Sequence, residues 1–193
     1  MTRIIPPPDR ANPVSRGSHT PLRFIPLSAS AAKRHSTQIL KLINLVTQGH
    51  WDSSKLLQLF QAHAGVEKFS ELAFQEDDLV GLTIAYPTAH LIRGEQVESV
   101  FGRRVCVAET RQRTSLGTRL LVRVADKIRE SAHGPDYPIV WVTAQDNIHS
   151  TSFYARAGFD PIDEVTNPEG HTDNIYLATP EEMKAKLARF LRR

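Results

Sequence analysis

Val105–Glu130, VCVAETRQRTSLGTRLLVRVADKIRE, begins as a strand and ends as a helix, and this constrains the fold more than any other stretch. Val105, Cys106 and Val107 have the apolar, β-branched character of a buried strand. Leu120, Leu121, Val124 and Ile128 then recur on one helical face, with Arg119, Arg123, Lys127 and Arg129 mostly off it. Ile139-Val140-Trp141-Val142 follows as a compact apolar run suited to a strand covered on both sides. Between strand and helix lies the polar turn Gln112-Arg113-Thr114-Ser115-Leu116-Gly117-Thr118. The first amides of a helix have no intrahelical acceptor, and the dipole adds positive potential there, so this turn has the makings of an anion site. Gly117 lets an anion approach the backbone, Ser115 and Thr118 offer hydroxyls, and Arg113 offers a countercharge. A phosphate or pyrophosphate fits that description, and so does an ordinary capped helix start. Neither G-x-x-x-x-G-K-[ST] nor a G-x-G-x-x-G after a strand is present, which disfavours nucleoside triphosphates and dinucleotides.

The rest of the pattern builds around that unit. Leu22–Leu27 reads as a strand, followed by a helix capped by Ser28 or Ser30 that carries Ile39, Leu42, Ile43 and Val46 and stops at Gly49. A second amphipathic helix spans about Ser53–His63, with Leu56, Leu57, Leu59 and Phe60 on its apolar side. Phe69–Gln75 and Leu79–Tyr86 read as strands joined by an acidic turn, with Pro87 closing the second. Val97–Val107 is a further strand, interrupted at Gly102. Asn147–Ala157 reads as a helix ended by Gly158, and Asn174–Ala178 as a strand. Thr179–Arg193 reads as a final helix, with Glu181 and Glu182 in its first turn and Arg192 and Arg193 in its last. Met183, Leu187 and Phe190 form its apolar stripe, to pack on the body or on a partner. The order predicts a mixed α/β sheet with helices on both faces.

Composition narrows the function classes. The 193 residues suit one domain, 22–178, flanked by a flexible Pro/Arg-rich tail over 1–21 and the terminal helix over 179–193. The tail lacks the apolar stretch of a secretory signal, and its prolines oppose the amphipathic helix of a transit peptide. No apolar run approaches the roughly 20 residues that cross a bilayer. A net charge of +3 falls short of the basic face of a nucleic-acid binder. The single cysteine, Cys106, fits a reducing compartment, and a cytoplasmic location is expected; its valine neighbours predict a buried, inert thiol. The eight histidines are scattered without ligand spacing, so no metal is expected.

Two segments carry a family resemblance. Gln112–Gly117 resembles the Q/R-x-x-G-x-G/A signature of the GNAT superfamily of N-acetyltransferases, with Ser115 standing where the first glycine is usual. Asn147-Ile148-His149-Ser150-Thr151-Ser152-Phe153-Tyr154-Ala155-Arg156-Ala157-Gly158-Phe159 is similar to that family's N-x-x-A/S-x-x-F/L-Y-x-x-x-G-F segment. The likeness implies a GNAT-like three-layer fold in which two adjacent parallel strands splay apart, here those ending near Val107 and Val142. It implies that Gln112–Thr118 cradles the pyrophosphate of acetyl-coenzyme A. The free amides of Val105, Cys106 and Val107 then bind the pantetheine arm and polarise the thioester carbonyl, and Asn147 also meets that arm. An amine attacks directly, preorganised amides stabilise the oxyanion, and Tyr154 gives the leaving thiolate its proton. His149 reads as a surface residue.

Histone-type members of the family carry a glutamate where Phe101 stands, and ribosomal-protein N-terminal acetyltransferases carry one where Val142 stands. A small-molecule amine is therefore the leading acceptor, with Glu98 as a candidate base beside solvent or a water chain. Acetylation of a protein or peptide amine, and a non-catalytic acyl-coenzyme A sensor, are the alternatives. Helices and edge strands of this fold commonly pair, which allows a homodimer.

Overall fold

The computed structural model describes residues 20–47, 49, 51–166 and 170–191. Most of the expected tail, His19, His50, and Arg192 and Arg193 at the last turn lie outside the described residues. Seven strands form one mixed sheet: β1 Leu22–Pro26, β2 Glu71–Gln75, β3 Asp78–Ile92, β4 Glu95–Val107, β5 Ile139–Ala144, β6 Asp163–Thr166 and β7 Thr172–Ala178. Their order across the sheet is β1-β2-β3-β4-β5-β7-β6, and every neighbouring pair is antiparallel except β4 with β5. The helices are α1 Ala29–Arg34, α2 Ser36–Thr47, α3 Ser53–Ala62, α4 Val66–Phe69, α5 Leu116–Glu130, α6 Ile148–Ala157 and α7 Pro180–Leu191.

Strand alternation assigns the two faces. Leu72 and Phe74 of β2 join Leu27, Ile39, Ile43 and Leu56 in the core under α1, α2 and α3. Ala73, between them, faces the other way and packs with Leu116 and Leu120 of α5. Further along that second face Val124, Ile128, Trp141, Met183 and Leu187 share one cluster, so α7 packs on the body of the protein.

Several elements depart from the sequence reading. The first helix is broken at His35 (φ −108°, ψ 19°) into α1 and α2; Ser28 caps α1, its Oγ accepting from the Ala31 N–H at 3.1 Å. Phe69 closes the one-turn α4 instead of opening a strand, and β6 was not anticipated. Pro87 does not end β3, which continues to Ile92. Ala85 turns its N–H toward the β2 side, where Ser70 Oγ accepts it at 2.9 Å, and strand pairing on that side stops at Thr83. Pro87, two residues on, turns its nitrogen to the same unpaired side, so its missing donor costs the ladder nothing.

The seat of α5 is fixed from below and from its flank. Glu71, only 2% exposed, is held by Arg123 and by Lys127 Nζ at 3.1 Å, and Arg123 also stacks over the Phe24 ring at 4.4 Å. These cations hold the Glu71 carboxyl below its usual range against the opposing effect of burial. Beneath the helix, a Cβ on Gly81 would lie 3.0 Å from Leu120 Cδ1 and 3.1 Å from Leu116 Cδ2. Gly81→Val is therefore expected to lever α5 off the sheet at a cost of about 1–3 kcal/mol. Thermal unfolding reads this as a Tm lower by several degrees.

Candidate active site

β4 and β5 pair only over Val100–Gly102 against Ile139–Trp141. Beyond that point β5 continues to Ala144 bonded to β7, and β4 continues to Val107 bonded to β3. The register of β3 with β4 shifts between Ile84/Arg104 and Ala85/Gly102, which leaves Arg103 as an extra residue on β4. Such a bulge bends its strand, and this one sits where the two parallel strands part. The β4 edge from Arg103 onward faces no strand on that side, so the N–H groups of Val105 and Val107 are free for a ligand; that of Cys106, contrary to expectation, turns to β3 like the Ala108 N–H, which donates to the Val80 carbonyl at 2.9 Å.

The opening holds a cavity of about 390 Å³. Arg103, Arg104, Val105 and Cys106 wall one side, and Trp141, Val142, Thr143 and Ala144 the other. Asn147, Ser150 and Tyr154 close it from α6, with Leu121, Val124 and Met183 from α5 and α7 and Asp173 from β7. Three buried donors on or beside this path have no partner among the described residues: Arg104 Nε, Trp141 Nε1 and Ser115 Oγ. Native interiors rarely leave such groups unpaired, so a polar ligand fits here.

Tyr154 packs among Trp141 (5.4 Å between ring centroids), Tyr176 (5.2 Å) and Phe153 (5.4 Å). Burial pushes its phenol above the ordinary range and Tyr176 adds to this, while the Thr143 side chain opposes it. Tyr154 therefore holds its proton at neutral pH. The Cys106 thiol is fully buried and pushed up to about 11 by that burial, as expected of an inert strand cysteine. Asn147 is the N-cap of α6, its Oδ1 accepting from Ser150 N–H at 3.1 Å, which leaves its amide NH₂ to a ligand.

The turn after β4 has unusual backbone. A short 3₁₀ turn over Glu109–Arg111 leads to Arg113 (φ 65°) and Ser115 (φ 61°), both left-handed. Such alternation turns successive N–H groups inward and makes an anion-binding concavity. Ser115 precedes α5 without a side-chain cap bond, so the amides of Leu116, Gly117 and Thr118 emerge unpartnered. Leu116 and Thr118 bury their side chains and offer main chain alone, whereas Gln112, Arg113 and Thr114 are exposed. The Thr114 hydroxyl donates to the Arg111 carbonyl at 2.6 Å. A Cβ on Gly117 would meet only Val107 Cγ2, at an ordinary 3.5 Å, so packing does not require glycine there.

Val105, Cys106, Asn147 and Tyr154 thus share one cavity, and Val107 and Gln112–Thr118 lie next to it at the mouth of α5. Glu98 is not brought in. It is exposed, four residues before Gly102, or about 13 Å along the strand, and the groups around it include Tyr137. It is not among the residues that line the opening. His149 is exposed and outside the cavity lining. Arg103, Arg104, Asp173, Thr143 and Met183 were not anticipated; a glycine inside a strand, Gly102, was the available sign of a bulge. Among the described residues, no three His, Cys, Asp or Glu side chains gather as a metal site requires, and no helix is long and apolar enough to cross a membrane.

Residues 37–159 match the sequence model of the acetyltransferase (GNAT) family. No curated protein matches the chain. Among solved structures it is similar to Arabidopsis thaliana Naa50 in complex with the bisubstrate analogue CoA-Ac-MVNAL (TM-score 0.61, 15% identity, 81% of this chain and 97% of that one). It is also similar to a putative GNAT-family acetyltransferase from Desulfovibrio desulfuricans (0.62, 19%, 83% and 99%). A third is the ribosomal-protein-S18-alanine N-acetyltransferase from Escherichia coli (0.58, 13%, 82% and 93%). At these identities the likeness is one of fold.

Proposed function

The chain belongs to the acetyltransferase (GNAT) family and uses acetyl-coenzyme A, and from that premise we propose that it acetylates the primary amine of a small molecule, with Tyr154 as general acid. The observation that carries this reading is the parting of β4 from β5 at Gly102, which opens a cavity lined by Tyr154 beside the amide-rich mouth of α5. When bound, acetyl-coenzyme A supplies an activated acyl group as a thioester. The amides of Leu116–Thr118, the Ser115 hydroxyl and Arg113 would hold its pyrophosphate. The N–H groups of Val105 and Val107 and the Asn147 amide would hold the pantetheine arm, and one of these free β4 amides would donate to the thioester carbonyl. A C–N bond forms at the acceptor as the C–S bond breaks. The amine's proton leaves to solvent, and Tyr154 gives its own to the departing sulfur and recovers one from solvent.

Small acceptors are favoured because Phe101 and Val142, where the resemblance implies glutamate in protein-modifying members, are apolar. Acetylation of a peptide amine is the second reading, supported by the fold shared with the Escherichia coli ribosomal-protein enzyme. Thiol release from acetyl-coenzyme A, followed with a panel of small amines and with peptides, tests both. Turnover of small amines is expected. Release with peptides alone transfers the case to the second reading, and tight binding without release to any amine identifies a sensor.

A further inference from the structure

A second cavity, of about 350 Å³, lies beyond the bulge under α3. Trp51, Lys55, Gln58, His63 and Arg103 are among its walls, and Arg103 also lines the first cavity, so this residue borders both. Arg103 donates from Nη1 to Tyr86 Oη at 3.1 Å and lies over the Trp51 ring at 5.5 Å. Arg104, its neighbour in the chain, donates from Nη1 to the Arg103 carbonyl at 3.1 Å and keeps Nε buried without a partner. No carboxylate lies within ion-pair distance of either arginine among the described residues, and Asp173 is the one acidic residue lining either cavity.

Neither half-buried cation has a carboxylate in contact, and Asp173 acts on Arg104 only from beyond ion-pair distance, so the pair carries positive charge in excess of what faces it. Their field is felt locally. Burial first and Arg103 second hold the His63 imidazole below its ordinary range, and burial followed by Arg103 does the same to the Arg104 guanidinium. His63, stacked on Tyr86 at 3.8 Å, therefore presents a neutral ring at pH 7 and adds no positive charge of its own. The free guanidinium edges suit a planar, two-oxygen anion.

We propose that the acetyl acceptor is an amine that carries a carboxylate, amino-acid-like in form, with the carboxylate held by Arg103 and Arg104 and the amine end in the first cavity toward Asp173. This rests on the acetyltransferase reading and names the substrate class for the same site. The bond changes are those given above; the arginines position the acceptor and take no part in proton transfer.

The test compares amino acids, glycine, β-alanine and L-glutamate among them, with their own carboxamides as acceptors for the full-length protein. Carboxamides carry the less basic amine, so more of each is unprotonated at neutral pH, which works against the expected result. kcat/KM is expected to favour each carboxylate by about 10- to 100-fold, and R103Q to remove that preference through KM. R103K, which keeps the charge and loses the fork, is expected to restore part of it. Equal use of both forms by the wild-type protein overturns the inference whether or not R103Q folds, and so does a preference that survives in folded R103Q. Turnover confined to acidic peptides also overturns it. In each of those cases acetyl-coenzyme A still binds and is consumed; failure of the acetyltransferase reading is recognised separately, by the absence of any acetyl-coenzyme A binding.

Discussion

Tyr154→Phe is expected to lower kcat by about 100-fold or more while acetyl-coenzyme A binds as before, because a positioned proton donor contributes typically 10²–10⁴ in rate. The substitution removes one oxygen from a ring that packs on Trp141, Tyr176 and Phe153, and all three ring contacts survive without it. Burial raises the phenol's pKa, so the proton is held at every working pH, yet it also makes the proton harder to give. A thiolate formed in the same cavity suffers the same loss of solvent and becomes the stronger base, so donor and acceptor rise together. Rapid-mixing kinetics with coenzyme A binding measured alongside separate the two effects. An equal loss in binding and turnover would assign Tyr154 to packing alone.

Gly117→Glu is expected to abolish cofactor binding while leaving the fold as stable as before or more so. Gly117 occupies the second position of α5, where glycine costs roughly 0.5–1 kcal/mol against a better helix former. A carboxylate in a first helical turn gains a further 0.3–1 kcal/mol from the dipole. The new Cβ meets Val107 at 3.5 Å without a clash. The same carboxylate stands where a pyrophosphate would sit. Two like charges about 4 Å apart near a protein surface repel by about 4 kcal/mol, roughly a thousandfold in affinity. Calorimetry against coenzyme A and thermal unfolding of the same sample are expected to move in opposite senses. Parallel losses in both would mean that glycine serves the fold and not a ligand.

What could be seen in the sequence was local. The stripe Leu120, Val124 and Ile128 and the polar turn before it are written within one segment, and so is the helix Ile148–Ala157 with its Asn147 cap and its Gly158 stop. What could not be seen depends on partners far along the chain. Pro87 reads as a strand end until it is known that β2 stops pairing at Thr83. β6, Asp-Glu-Val-Thr, lies at the sheet edge with most of its side chains in solvent, so it shows no apolar alternation. The parting of β4 from β5 leaves no trace in composition and is legible only through the family resemblance of Gln112–Gly117 and Asn147–Phe159. Arg103 and Arg104 look like ordinary solvated charges until the bulge sets one of them between two cavities. Glu98 is the opposite case: strand membership suggested the site, and it stands four residues before Gly102, outside the cavity lining.

The account depends on main-chain N–H groups at the head of α5 receiving a diphosphate, with the carrier's arm running into the gap between β4 and β5. Amide NMR of the ¹⁵N-labelled full-length protein during titration with coenzyme A tests this directly. The prediction is saturable shifts centred on Ser115, Leu116, Gly117 and Thr118, continuing to Val107 and Val105. Saturable shifts elsewhere with these amides unmoved, or none at all, would contradict it.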